Sequence, residues 1–163
     1  MHRRSIKILF AALTGFLALV YVLQNFANLD AAYQSIMYVM SGADHTAYAN
    51  TLFFKSTNSL LGWSAVVLVC AGELIAALLL LFGALQMWQN ISASSEDFEQ
   101  SLKYAEIGAA TGVLVWLGFF GVLGGAFFQM WQTPIGDGSM RGAFQFFVTC
   151  AITLLYLNVA NSE

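Results

Sequence analysis

The run LGWSAVVLVCAGELIAALLLLFGALQM, residues 61–87, decides the fold. It carries a single charged residue, Glu73, and no proline. A helix needs about 20 apolar residues to cross a hydrocarbon core of ~30 Å. Nothing in that core can hydrogen-bond an open backbone, so an apolar run of this length has to be helical. Three more runs of the same kind follow from the sequence, at about residues 8–26, 107–130 and 143–159. Period-two alternation, the mark of an outer-membrane barrel, is absent. The expected fold is therefore all-α: one polytopic domain over residues 1–163, a four-helix transmembrane bundle.

Composition agrees. Hydrophobic residues make up 59% of the chain and charged residues 9%, against about 25% charged in soluble domains. The net charge of −3 and the lack of a basic stripe argue against a nucleic-acid partner. Cys70 and Cys150 both lie in apolar runs and read as small packing residues. With His2 and His45 outside the runs, neither a metal site nor a haem axial pair is expected.

Orientation follows from the basic residues. Arg3, Arg4 and Lys7 precede the first run, and Lys103 lies near the third; Lys55 and Arg141 fall on the opposite side. Positive charge is retained on the cytoplasmic side, so both termini are expected in the cytoplasm and the protein in the inner membrane. No A-x-A cleavage pattern follows the first run, which reads as a retained anchor. The segment 88–106, with Glu96, Asp97 and Glu99, reads as a solvated cytoplasmic loop.

Between the first two runs, about residues 28–60, Leu29, Tyr33, Ile36, Met37 and Met40 fall at helical spacing on one face. This predicts an amphipathic helix lying along the outer membrane surface, broken at Ser41-Gly42-Ala43-Asp44. A second apolar patch includes Phe53 and Phe54. Tyr33, Ile36, Met37, Met40, Phe53 and Phe54 either cap the bundle or dock a partner. Trp63, Trp88 and Trp131 mark run ends and are expected to anchor at the interfaces. The repeated Gln-Met-Trp-Gln at 86–89 and 129–132 then falls at opposite membrane faces. Trp116 lies deeper and is expected to pack.

The third run is rich in glycine: Gly108, Gly112, Gly118, Gly121, Gly124 and Gly125. Helices in lipid associate by close backbone approach, so Gly108, Gly112, Gly118, Gly121 and Gly125 are expected at helix contacts. That places the third helix at the centre of the bundle or against a neighbouring subunit. Glu73 lies about 18 Å along its helix from Leu61, near the midplane of a ~30 Å core. A carboxyl there should face protein and be paired. Thr149, Thr153 and Thr111 are the partners expected at compatible depths, forming either a structural node or one step of a proton or cation relay. Gly136-Asp137-Gly138 reads as a turn and lacks the lysine of a phosphate loop.

The chain resembles the bacterial predicted small integral membrane proteins called domain of unknown function 2165. The residues that carry the resemblance are Val39–Asn50, Gly72-Glu73 with Gly83-Ala84-Leu85, and Met130-Trp131-Gln132 followed by Gly138 and Ala143-Phe144-Gln145-Phe146-Phe147. The family pattern has a Trp-Asn-Gly-Gln turn and an arginine in its final block. This chain has Ile135-Gly136-Asp137-Gly138 and Gln145 there. The resemblance implies a bacterial inner-membrane protein and an accessory place in a larger complex.

No catalytic set is visible, and an enzyme acting alone is not expected. The leading expectation is a non-catalytic accessory subunit or assembly factor of a respiratory or photosynthetic complex. It would contact membrane lipids and other integral membrane subunits, with bound lipid and no other cofactor. The alternative is a small transporter or proton-translocating protein that uses Glu73.

Overall fold

The computed structural model describes residues 2–48 and 54–159. Every regular element among them is helical. Four helical stretches are long and apolar enough to cross a membrane: His2–Ala27, Ser59–Gln89, Ser95–Phe127 and Pro134–Leu157. We number the elements α1 (His2–Ala27), α2 (Leu29–Ser41), α3 (Ser59–Gln89), α4 (Ser95–Ser101), α5 (Lys103–Val113) and α6 (Pro134–Leu157). A π-helical segment, Leu114–Phe127, continues α5, and a 3₁₀ turn at Met130–Gln132 precedes α6.

The four spanning stretches run up and down, so both described ends lie at one end of the bundle. Lys7 fixes them together: its Nζ donates to the carbonyls of Leu157 and Val159, each at 2.7 Å. A cation is favoured at a helix C-terminus, where unpaired carbonyls gather. Arg4 ties down the neighbouring connection, donating to the carbonyls of Ile91 (3.0 Å) and Ala93 (2.7 Å) while lying over the Phe98 ring. Residues expected only to set orientation thus also close the bundle.

The segment 88–106 is not a loop throughout. Helix begins again at Ser95, because the Ser94 hydroxyl caps the Asp97 amide (3.1 Å) and Phe98 is fully buried. Glu96, Asp97 and Glu99 remain exposed on this helix. The last span also starts earlier than expected, at Pro134. The Thr133 hydroxyl accepts from the Gly136 amide (3.0 Å), and proline at the first helical position needs no partner for its nitrogen. Gly136-Asp137-Gly138 is therefore the first turn of α6 and not a free turn. Gly136 is required there because a Cβ would fall 2.0 Å from the Met130 carbonyl oxygen.

Closest packing is between α3 and α5. A Cβ on Gly83 would fall 2.3 Å from the Ala105 backbone nitrogen, and one on Gly108 would fall 2.7 Å from that of Leu80. Gly15 of α1 presses on Leu80 and Leu81 from the other side. This makes α3 the central helix, in place of the third span: its glycine and alanine positions let helices close on both flanks. The core is built largely from small residues such as Ala11, Ala18, Ala76, Ala77, Ala105 and Ala109, all fully buried. Trp116 is buried and stacked on Phe146 at 4.6 Å. Large residues such as Leu13, Leu78, Leu85 and Leu155 point outward, the polarity expected when lipid is the solvent.

Candidate functional site

Polar groups inside the bundle come in pairs. Thr14 of α1 and Thr153 of α6 share a hydrogen bond of 2.9 Å. Glu73 of α3 is buried, and its Oε2 accepts from Asn25 Nδ2 of α1 at 2.7 Å. None of the three expected threonines reaches it. Thr153 is taken by Thr14, Thr149 bonds the Gln145 carbonyl, and Thr111 bonds the Ile107 carbonyl. A lone threonine hydroxyl in a helix satisfies itself on the turn before it. Glu73 lies at the middle of α3 and faces the end of α1. Along α1, Asn25 lies about 26 Å from the start of the apolar run at Ile8, toward the far side of a ~30 Å core. Asn25 was the missed residue: an amide near the end of the first run was the available signal.

Above this pair, away from the termini, lies a cavity of about 530 Å³. Its walls come from α1, α2, the first half of α3, the π-helical segment and the start of α6. Phe119, Phe120, Leu123 and Phe128 form the apolar side; Gln24, Asn25 and Asn28 form the polar side. A π-helix of 14 residues is unusual, since most are single turns at functional sites. Glycine permits it here. Cβ atoms on Gly124 and Gly125 would lie 3.4 and 3.3 Å from the carbonyl oxygens five residues back, the crowding of a wide helix. Phe128, whose amide donates to the Leu123 carbonyl (2.8 Å), and Gln129, at φ 53°, end it.

The glycines of the third span therefore divide. Gly108 meets α3, Gly112 meets Cys150 of α6, and Gly125 meets Met140 of α6. Gly118 and Gly121 face only leucines of their own helix and make no interhelical contact; the π-helical turn rotates them away from the α-helical stripe.

The amphipathic segment is a helix, α2, and Gly42 in the left-handed conformation ends it. Its apolar face packs against the start of α3. Tyr33 stacks on Trp63 at 4.6 Å, Met37 covers Gly62, and Met40 is buried. Tyr33, Ile36, Met37 and Met40 consequently pack against the bundle, the first three partly buried. Gly62, which leaves room for Met37, is what draws the face inward. Phe54 is exposed and meets Phe128 edge-on, while Phe53 lies outside the described residues. Trp88 is at the termini end of α3; Trp63 and Trp131 are at the far end, each partly exposed.

Next to α2, the Tyr38 hydroxyl donates to Asp44, which raises its pKa above the usual phenol value. His45 is held below its ordinary value by burial and then by Lys55, with Asp44 opposing. Its Nε2 is buried without a partner. The described residues contain no cluster of three metal-ligating side chains.

On the outside of α6, Gly138, Gly142, Gln145 and Thr149 share one face. A Cβ on Gly138 or Gly142 would meet nothing within 4 Å. Gln145 is exposed among Phe144, Phe146 and Phe147, about 18 Å from the α6 end at Leu157. Its side-chain amide makes no hydrogen bond among the described residues.

No curated protein and no solved structure matches the chain. The family described as predicted small integral membrane protein, DUF2165, matches residues 3–160. The match covers nearly the whole chain, and the chain belongs to this family of integral membrane proteins.

Proposed function

We propose that the chain is a non-catalytic accessory subunit or assembly factor of a larger bacterial inner-membrane complex, with both termini in the cytoplasm. Arg3, Arg4 and Lys7 at the N-terminal end support that orientation. The outer face of α6 carries the reading. Gln145 presents an unpaired amide to lipid, where an unmatched polar group costs free energy. Gly138 and Gly142 beside it allow close backbone approach. The occupant that fits is a transmembrane helix of another subunit, with a hydrogen-bonding side chain opposite Gln145. Tagged protein purified in mild detergent should bring that subunit with it. Gln145→Leu and Gly142→Leu should lose it while leaving the isolated bundle folded. Full co-purification with both variants defeats the reading.

A second reading has one observation behind it. The cavity reaches Asn25, and Asn25 holds Glu73, so solute or protons could approach the carboxyl from the far side. The described residues show no second titratable group between Glu73 and the termini end in contact with it. Flux through the purified protein in liposomes, abolished by Glu73→Gln, would favour transport over the subunit role.

A further inference from the structure

We infer that the cavity beside the π-helical segment binds an uncharged long-chain lipid whose head presents hydrogen-bond acceptors, such as ester carbonyls and a hydroxyl. Its volume, about 530 Å³, falls in the range of small-molecule sites. Three features select the ligand class.

The first is charge. Among the described residues, no Asp, Glu, Lys, Arg or His side chain lines the cavity. Glu73 stands behind Asn25 and is not part of the wall. A phosphate head would find no cation, and an ammonium head no anion.

The second is the set of free donors. An amide carries two N–H groups. Asn25 uses one on Glu73, and Asn28 uses one on the Gln24 carbonyl at 2.8 Å. The Gln24 side chain makes no hydrogen bond among the described residues. All three line the same cavity and stand within one turn of α1 and its end. These donors gather at the end of the apolar run, and an acceptor-rich head meets them together.

The third is the opposite wall. Ser35 and Ser139 also line the cavity, but their hydroxyls donate to the carbonyls of Ala31 and Ile135 in their own helices. The remaining surface is mainly Phe119, Phe120, Leu123, Phe128 and aliphatic residues of α2 and α3, suited to a hydrocarbon chain.

The test uses the full-length protein in nanodiscs and a diacylglycerol bearing a photoreactive acyl chain. Crosslinks should map to the π-helical segment and to α2. Excess dioleoylglycerol should compete, and dioleoylphosphatidylglycerol should not. Filling the cavity with Ala32→Phe and Ala65→Phe should cut labelling about tenfold, equivalent to ~1.4 kcal/mol. Gln24→Leu with Asn28→Leu should weaken labelling while leaving the bundle folded. Equal competition by the anionic lipid overturns the proposal, as does undiminished labelling of a folded, cavity-filled variant. If the filled variant fails to fold, the competition on the wild type decides alone.

Discussion

Replacing Gly83 by alanine tests the packing of α3 on α5 directly. The new methyl would fall 2.3 Å from the Ala105 nitrogen and 2.7 Å from its Cα and Cβ. Carbon atoms pack comfortably at about 3.5–4.0 Å, so the helices must part by about 1 Å at this level. The obstacle is backbone, which cannot turn aside like a side-chain tip. Overpacking of this kind costs about 1–3 kcal/mol. Gly142 supplies the control, because its Cβ would meet nothing within 4 Å. There the substitution gains only the helix preference of alanine, about 0.8–1 kcal/mol. Both variants gain that preference, so they should differ by the overpacking cost, about 1–3 kcal/mol, or roughly 5- to 160-fold in the folded ratio. Unfolding in mixed micelles by rising fractions of dodecyl sulfate, followed by tryptophan fluorescence, reads the difference. Equal midpoints for Gly83→Ala and Gly142→Ala would refute the claim that α3 and α5 touch through this glycine.

Three further outcomes are expected from the same titration. Asn25→Leu should destabilise the bundle by about 1–3 kcal/mol, since it strips a buried carboxyl of its donor, whereas Asn25→Leu with Glu73→Leu should recover most of that loss; additive losses would show that the two side chains are not coupled. Lys7→Met should cost about 2–3 kcal/mol, because two hydrogen bonds from a charged donor to the end of α6 disappear together; an unchanged midpoint would argue against the lock. His45 has a folded pKa below its unfolded value near 6.5, so the folded state binds fewer protons, and the stability it contributes is complete above about pH 6.5 and lost as pH falls toward the depressed value. The midpoint should fall between pH 7.5 and pH 5 in the wild type and fall less in His45→Gln; identical pH profiles for the two proteins would rule this out.

The four spans were legible because hydrocarbon imposes one rule on every residue in them, and a run such as 61–87 satisfies it without reference to any neighbour. What escaped the sequence was set by pairing. The partner of Glu73 could be read only against α1, which places Asn25 beside it. The apolar face of residues 29–41 announced a helix but not its cover, because Gly62, the residue that makes room for Met37, lies in another element. Gly118 and Gly121 look like contact positions at α-helical spacing. The wider π-helical turn moves them off the interface, and nothing in the local sequence declares that change. Thr133 and Pro134 did carry a cap signal, which the glycines that follow obscured.

The clasp between Lys7 and the end of α6 joins the first of these four spans in chain order to the fourth. Its acceptors, the carbonyls of Leu157 and Val159, are made 150 and 152 residues after Lys7. Until they emerge, the Lys7 ammonium lacks these acceptors and must be held by water or headgroups. Insertion of the four spans and closure of the bundle are therefore separate events in time. A chain cut short before Leu157 would lack both acceptors and leave the seam between α1 and α6 open.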